Sequence, residues 1–317
     1  MSKDLYRELC AREDSIPLFS RDWWLDAACG GEWDALTLEK NGRIHAAMPL
    51  YVPRRRIVAM PQYTQTMGLW FAAGADDAKY SSLLEHRQAI CRHFTAQLKG
   101  YRSFFQNFSA DFTDWLPFYW EGYSQTTRYT YVLNGLQDSA RLLADMSRQT
   151  RRNLKKAESR SVTVRRGVAA DDLIEIQSLT FRRQRRRNTQ SATVLRRLVD
   201  AARGRGQGDI FGGYDADGRL HAAAFVVWQR SSAYYIAGGG DPALRSSGAH
   251  SLVMWEAIRH AAQHTDAFDF EGSMIPGVER FFREFGAVQT PYFAISRGRP
   301  RLVDRICMKL KKYRQIL

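Results

Sequence analysis

Cysteine is scarce in this chain of 317 residues: Cys10, Cys29, Cys91 and Cys307 lie far apart, with no C-x-x-C pair and no His–Cys cluster at zinc-ligand spacing. That spacing excludes the common cysteine-rich zinc modules, so the four read as reduced thiols and no metal is expected. Long apolar runs are missing as well. The stretch AAAFVVW, residues 222–228, falls far short of the ~20 residues that span a bilayer. The N-terminal MSKDLYRELCARED puts acids where a signal peptide needs an apolar core, so a cytoplasmic location is expected. Acid is in deficit overall: 33 Asp and Glu stand against 47 Lys and Arg, a formal charge of +14. Such a molecule is drawn to polyanions, whether nucleic acid, acidic phospholipid or phosphorylated substrates. The positive charge is densest at 148–160, 181–187 and 297–317.

What is present argues for a folded chain built twice. Hydrophobic residues make up 44% and aromatics 12%, enough for substantial cores, and the length is about that of two ordinary domains. GRIHAAMPLYV at 42–52 returns as GRLHAAAFVVW at 218–228, and Gly122, Gln125 and Thr126 return as Gly286, Gln289 and Thr290. Each copy reads as strand, strand, helix, strand, helix, strand. Asn41-Gly42 and Asp217-Gly218 supply hairpin turns, and period-2 alternation marks the strands. Between the copies lie helical patterns at 139–160, 172–187 and 193–206, with the strand-like SVTVRRG and IFGGYD among them.

Two helices before a meander, a strand leading to a loop and long helix, then a strand and a closing helix and strand, is an order that resembles the GNAT acyltransferase fold. Two such units resemble the FemAB and FemX-like family and the related CelD/BcsL-like proteins. The resemblance is carried by TRRNLKKAE (150–158), RSSGAHSLVMWEAI (245–258) and FDFEGSMIPGVERFFREFGA (268–287). It implies an α/β (α+β) fold of two tandem GNAT-like domains, each a mixed central sheet flanked by helices. Their expected extents are 1–134, a degenerate copy, and 135–299, the copy with the donor site, followed by a basic amphipathic helix at 300–317. No long heptad pattern of the kind some FemA-like proteins insert is present, which favours the CelD/BcsL-like branch. The implied activity is transfer of an acyl group from acyl-CoA (acetyl-CoA) to an amine of an envelope polysaccharide or peptidoglycan-type precursor. Two rivals stand beside it: an aminoacyl-tRNA-dependent peptidyltransferase, and a noncatalytic membrane- or nucleic-acid-binding protein.

A GNAT donor site needs free backbone N–H groups at a helix start, where the dipole favours phosphate. Arg245, Ser246, Ser247, Gly248, Ala249 and His250 occupy that place and match the acyl-CoA loop in part, with His250 where a second small residue belongs. The first copy has DDAKYSSLLEHRQ there, acidic and without glycine, so it is expected to shape the acceptor cleft and not to bind phosphate. Asp269 and Glu271, two apart on one strand, should share a face opposite Phe268 and Phe270 and provide the base that an attacking amine requires. Tyr292 is a candidate for protonating the leaving group. Gly238, Gly239 and Gly240 read as an oxyanion hole or as a turn, and His221, matched by His45, as a structural histidine. Arg151, Arg152, Lys155 and Lys156 are neighbours on a helix and suit substrate phosphate, the alternative being a solvated face. In the tail, Leu302, Ile306, Leu310, Tyr313 and Leu317 recur at helical spacing among Lys and Arg. That pattern fits either an anionic surface, such as the inner face of the cytoplasmic membrane, or docking of the stripe onto the body.

Overall fold

The computed structural model describes residues 2–73, 79–183, 188–272, 274–306 and 308. The elements follow the expected order. The first half runs α1 (Ser2–Arg12), α2 (Asp22–Cys29), β1 (Trp33–Lys40), β2 (Arg43–Arg54), β3 (Ile57–Ala59), β4 (Trp70–Phe71), α3 (Tyr80–Leu98), β5 (Phe104–Asn107), α4 (Leu116–Trp120) and β6 (Ser124–Asn134). Next come α5 (Ser139–Asp145), α6 (Arg148–Ser159), β7 (Thr163–Arg166), α7 (Ala170–Arg183) and α8 (Ala192–Gly204). The second half closes with β8 (Gly208–Tyr214), β9 (Leu220–Trp228), β10 (Ala233–Gly240), α9 (Ala249–Ala261), β11 (Ala267–Asp269), α10 (Pro276–Arg283) and β12 (Val288–Arg297).

The two GR-x-HAA stretches are β2 and β9, each the second strand of a hairpin. Their turns differ. Asn41 and Gly42 both have positive φ, 54° and 72°, as a two-residue hairpin turn needs to follow the strand twist. In the second hairpin Gly218 alone is left-handed, and Leu220 pairs with Tyr214 across an irregularity in register. The elements after the hairpins also correspond, β10 with β3 and β4, α9 with α3, β11 with β5, α10 with α4 and β12 with β6.

Strand pairing departs from the sequence repeat. β6, which closes the first repeat, pairs antiparallel with β11 of the second, Leu133 opposite Phe268. β12, which closes the second, pairs with β5 of the first, Ile295 opposite Gln106. The compact units therefore cross the repeats: among the described residues one comprises those up to Arg128 and those from Pro291 on, the other those in Tyr129–Thr290. The first unit packs Met48, Phe94, Phe104, Phe108 and Phe118 with Ile295. In the second, β9 is buried along HAAAFVVW because α9 and α7 both pack on it, so its sequence is a nearly continuous apolar run and not an alternating one.

In the C-terminal segment Pro300 and Arg301 are not helical, 302–306 is helical, and of the remaining residues of the expected 300–317 helix only 308 is described. Asp304 is buried, its carboxylate paired with Arg54 at 2.5 Å and Arg102 at 2.9 Å. Leu302, Val303 and Ile306 are exposed, so this part of the stripe does not dock inward.

Candidate active site

In the second unit β10 and β11 run parallel only at Ala233 with Phe268 and Tyr234 with Asp269. β11 then stops, whereas β10 continues to Gly240, still paired with β9 after an irregularity between Tyr235 and Ala237. The chain leaves β11 through two left-handed residues, Glu271 (φ 59°) and Gly272 (φ 44°). Gly272 lies so close to the backbone of Tyr129 and Thr130 that no Cβ fits there. The opening beside the carboxyl end of β10 is a cavity of about 880 Å³, walled by Tyr235 to Gly240, Thr180 of α7, His250 of α9 and Val278, Phe281 and Phe282 of α10. Ligands bind α/β sheets at such a place, outside the carboxyl ends of parallel strands that part.

The start of α9 borders this cavity. Arg245–Ser247 form a 3-10 turn, and Gly248, at φ 83°, enters the helix. A Cβ at Gly248 would strike the carbonyl of Asn153 on α6, so glycine is fixed here by helix packing as well as by φ. Ser247 Oγ accepts the Ala249 N–H at 3.2 Å, and Arg160 donates to Ser246 Oγ at 3.1 Å. His250 stacks its ring on Phe281, centroids 4.6 Å apart and planes 14° from parallel. Its Nε2 is sealed from solvent without a hydrogen-bond partner among the described residues. Burial, with the nearby Arg183 and Arg245, pushes its pKa down to about 4, so the imidazole is neutral near pH 7.

The two carboxylates do not share a strand face. β11 ends at Asp269, and the left-handed Glu271 stands beyond it. Asp269 accepts the Thr130 hydroxyl and, at 2.7 Å, the backbone N–H of Glu271, which ties the turn together. Glu271 Oε1 is buried and has no hydrogen-bond partner among the described residues. Its burial, and secondly the charge of Asp269, hold its carboxyl well above the usual carboxylate range. A non-glycine residue held left-handed, with one buried carboxyl oxygen lacking a partner among the described residues, is the kind of strain that collects at functional sites. Phe268 and Phe270 are both buried, as alternation requires.

Other candidates fall elsewhere. Tyr292 is buried in β12 and belongs to the first unit. Gly238 to Gly240 are strand, not turn. Gly239 lets α7 approach, and Gly240 N–H donates to Thr180 Oγ1 at 3.1 Å. His221 lines the cavity with Nε2 3.0 Å from Asp215 Oδ2, a structural partner for one nitrogen. Arg151 donates to the carbonyls of Leu143 and Ala144 and so closes α5, while Arg152, Lys155 and Lys156 are exposed on α6. The sequence reading missed Tyr131, whose hydroxyl donates to Glu279 at 2.8 Å and accepts from Gln289 at 2.7 Å. In TTRYTYVL it reads only as a core strand residue. Among the described residues no group of three His, Cys, Asp or Glu could hold a metal ion, and no helix is long and apolar enough to cross a membrane.

Residues 144–283 match the family model of the Acetyltransferase (GNAT) domain. No curated protein matches the chain. Among solved structures it is similar to FemX, with a TM-score of 0.66, 13% identity and 98% of both chains covered. It is also similar to the C-terminal domain (DUF2156) of a putative lysylphosphatidylglycerol synthetase from Agrobacterium fabrum, with a TM-score of 0.56, 12% identity and 98% and 95% covered. A tandem GNAT protein from the clavulanic acid biosynthesis pathway gives 0.52, 12%, and 93% and 94%. Residues 144–283 thus match a GNAT acetyltransferase domain, and the chain has the α/β fold shared by FemX and a tandem GNAT protein.

Proposed function

We propose that the protein transfers an acyl or aminoacyl group to an amine of a cell-envelope precursor, with donor and base both in the second unit. The observation that carries this reading is the cavity where β10 and β11 part, bordered by the α9 start on one side and by Gly272, the neighbour of Glu271, on the other. Arg245, Ser246, Ser247, Gly248, Ala249 and His250 receive the donor's phosphate, where the helix dipole and Arg245 favour negative charge. Acetyl-CoA is the donor this arrangement suits best. As the acceptor amine attacks the acyl carbonyl, a C–N bond forms and the bond to the leaving sulfur breaks. The amine's proton passes to ionised Glu271, and the thiolate takes up a proton on departure. A raised carboxyl pKa makes Glu271 a stronger base once ionised. Asp269 is a positioning residue, holding the Glu271 backbone through its N–H. Arg152, Lys155 and Lys156 add phosphate contacts for the acceptor, an envelope polysaccharide or peptidoglycan-type precursor. Transfer of radiolabelled acetyl to such a precursor should be lost with Glu271→Gln; transfer at the wild-type rate would remove Glu271 from the mechanism.

The net charge of +14 supports a second donor, aminoacyl-tRNA. Its binding would weaken steeply with salt, whereas a salt-independent affinity would exclude it. The C-terminal segment supports contact with an anionic membrane surface. Its one acid, Asp304, is turned inward onto Arg54 and Arg102, and Leu302, Val303 and Ile306 stand exposed beside Arg301 and Arg305. Flotation with phosphatidylglycerol vesicles, lost when Leu302, Val303 and Ile306 are changed to Ser, would support this; flotation unchanged by those substitutions would refute it.

A further inference from the structure

The first unit has a cavity of its own in the place that corresponds, element for element, to the cavity of the second. It lies at the end of β4, the start of α3 and the stretch after β5, as the other lies at β10, α9 and the stretch after β11. Its volume is about 330 Å³, at the low end of the range for small-ligand pockets. The chemistry of the lining has changed between the two. The charged groups lining the second unit's cavity, among the described residues, are Arg183 and Arg245; those of the first are Arg87 with Asp111 and Asp114. The remaining wall is largely apolar and aromatic, from Trp70, Phe71, Tyr80, Leu83 and Phe112.

These groups are held in place. Trp70 Nε1 donates to Ser15 Oγ at 2.9 Å. Phe71 lies parallel to Phe112, centroids 6.4 Å apart, and the Arg87 guanidinium stands 5.6 Å from the Phe71 ring centre. Asp114 accepts the Leu116 N–H at 3.1 Å and Gln88 Nε2 at 2.8 Å. A phosphate would meet two carboxylates here, and a simple cation would meet Arg87. A ligand with an ammonium, a carboxylate and an apolar body offers a group of opposite sign to Arg87 and to the acidic side and covers the aromatic wall. We propose that this cavity is a second ligand site, which takes an apolar α-amino acid in its zwitterionic form. The site is independent of the transfer reaction assigned to the second unit.

The test is calorimetric titration of the full-length protein with L-phenylalanine, 2-phenylethylamine and 3-phenylpropionate, which carry both charges, only the ammonium, or only the carboxylate. Phenylalanine should bind, and each analogue should bind about tenfold or more weakly, the usual cost of losing one charged hydrogen-bond partner. Arg87→Met should erase the advantage over the amine, and Asp111→Asn the advantage over the acid. Asp111 is exposed, so that variant keeps the fold intact. Trp70→Phe should remove the fluorescence change on binding but leave the heat signal. Binding should be unaltered by Glu271→Gln, which separates this site from the second unit's. No binding of phenylalanine at millimolar concentration, equal affinity for all three compounds, or affinities indifferent to Arg87→Met and Asp111→Asn would overturn the proposal.

Discussion

Glu271 concentrates what is unusual at the residue scale: a left-handed φ of 59° and a carboxyl that burial holds well above the usual carboxylate range. If it is the base, Glu271→Gln should lower kcat by about 10² to 10⁴, the usual range for losing a general base, with KM little changed. The same residue has a thermodynamic signature. Its folded pKa is raised, so the folded state binds the extra proton, and its contribution to stability is lost as pH rises through the folded value. His250 has the opposite sign. Folded, it titrates at about 4 against 6.5 when free, so stability falls as pH drops from 6.5 towards 4. Thermal midpoints across pH should show the alkaline loss diminished in Glu271→Gln and the acid loss diminished in His250→Gln. Unchanged slopes would mean that neither group is buried as described. Residue type alone did not announce the Glu271 turn. Alternation in AFDFEG placed both acids on one face, and the left-handed step after Asp269 arises from the approach of Gly272 to the Tyr129 and Thr130 backbone, a long-range contact.

Among elements, hairpins and helices were legible because their signals are local: an N-G turn, alternating apolar residues, a glycine at a helix start. Gly248 shows how one local signal can have two causes. In the sequence it belongs to the partial acyl-CoA loop, yet its Cβ would meet the Asn153 carbonyl. Gly248→Ala should therefore destabilise the protein by about 1–2 kcal/mol through the left-handed strain alone, before any clash. Denaturant melts with no ligand present would check this, and an undiminished midpoint would contradict it. Gly238 to Gly240 were ambiguous because glycine marks both turns and close packing. They proved to be strand against α7, with Thr180 bonded to Gly240.

At the scale of the molecule, strand exchange was not legible, since period-2 alternation identifies a strand but not its partner. It has a measurable consequence. Ile295, fully buried in the first unit's core, comes from the second repeat. Ile295→Ala should cost about 2–5 kcal/mol, and hydrogen exchange should report the loss in the first unit. Loss confined to residues 129–290 would argue against the pairing of β12 with β5. The duplication accounts for two cavities in equivalent places with different chemistry, of which the second unit's is proposed to hold the donor. The most direct test is the thermal midpoint with and without millimolar acetyl-CoA, for the wild type and for Arg245→Ala. At about 100 times its dissociation constant the ligand should add roughly 2.7 kcal/mol and raise the midpoint by several degrees. Arg245→Ala should lose most of that shift. No shift in the wild type, or an equal shift in the variant, would rule out a donor site at Arg245.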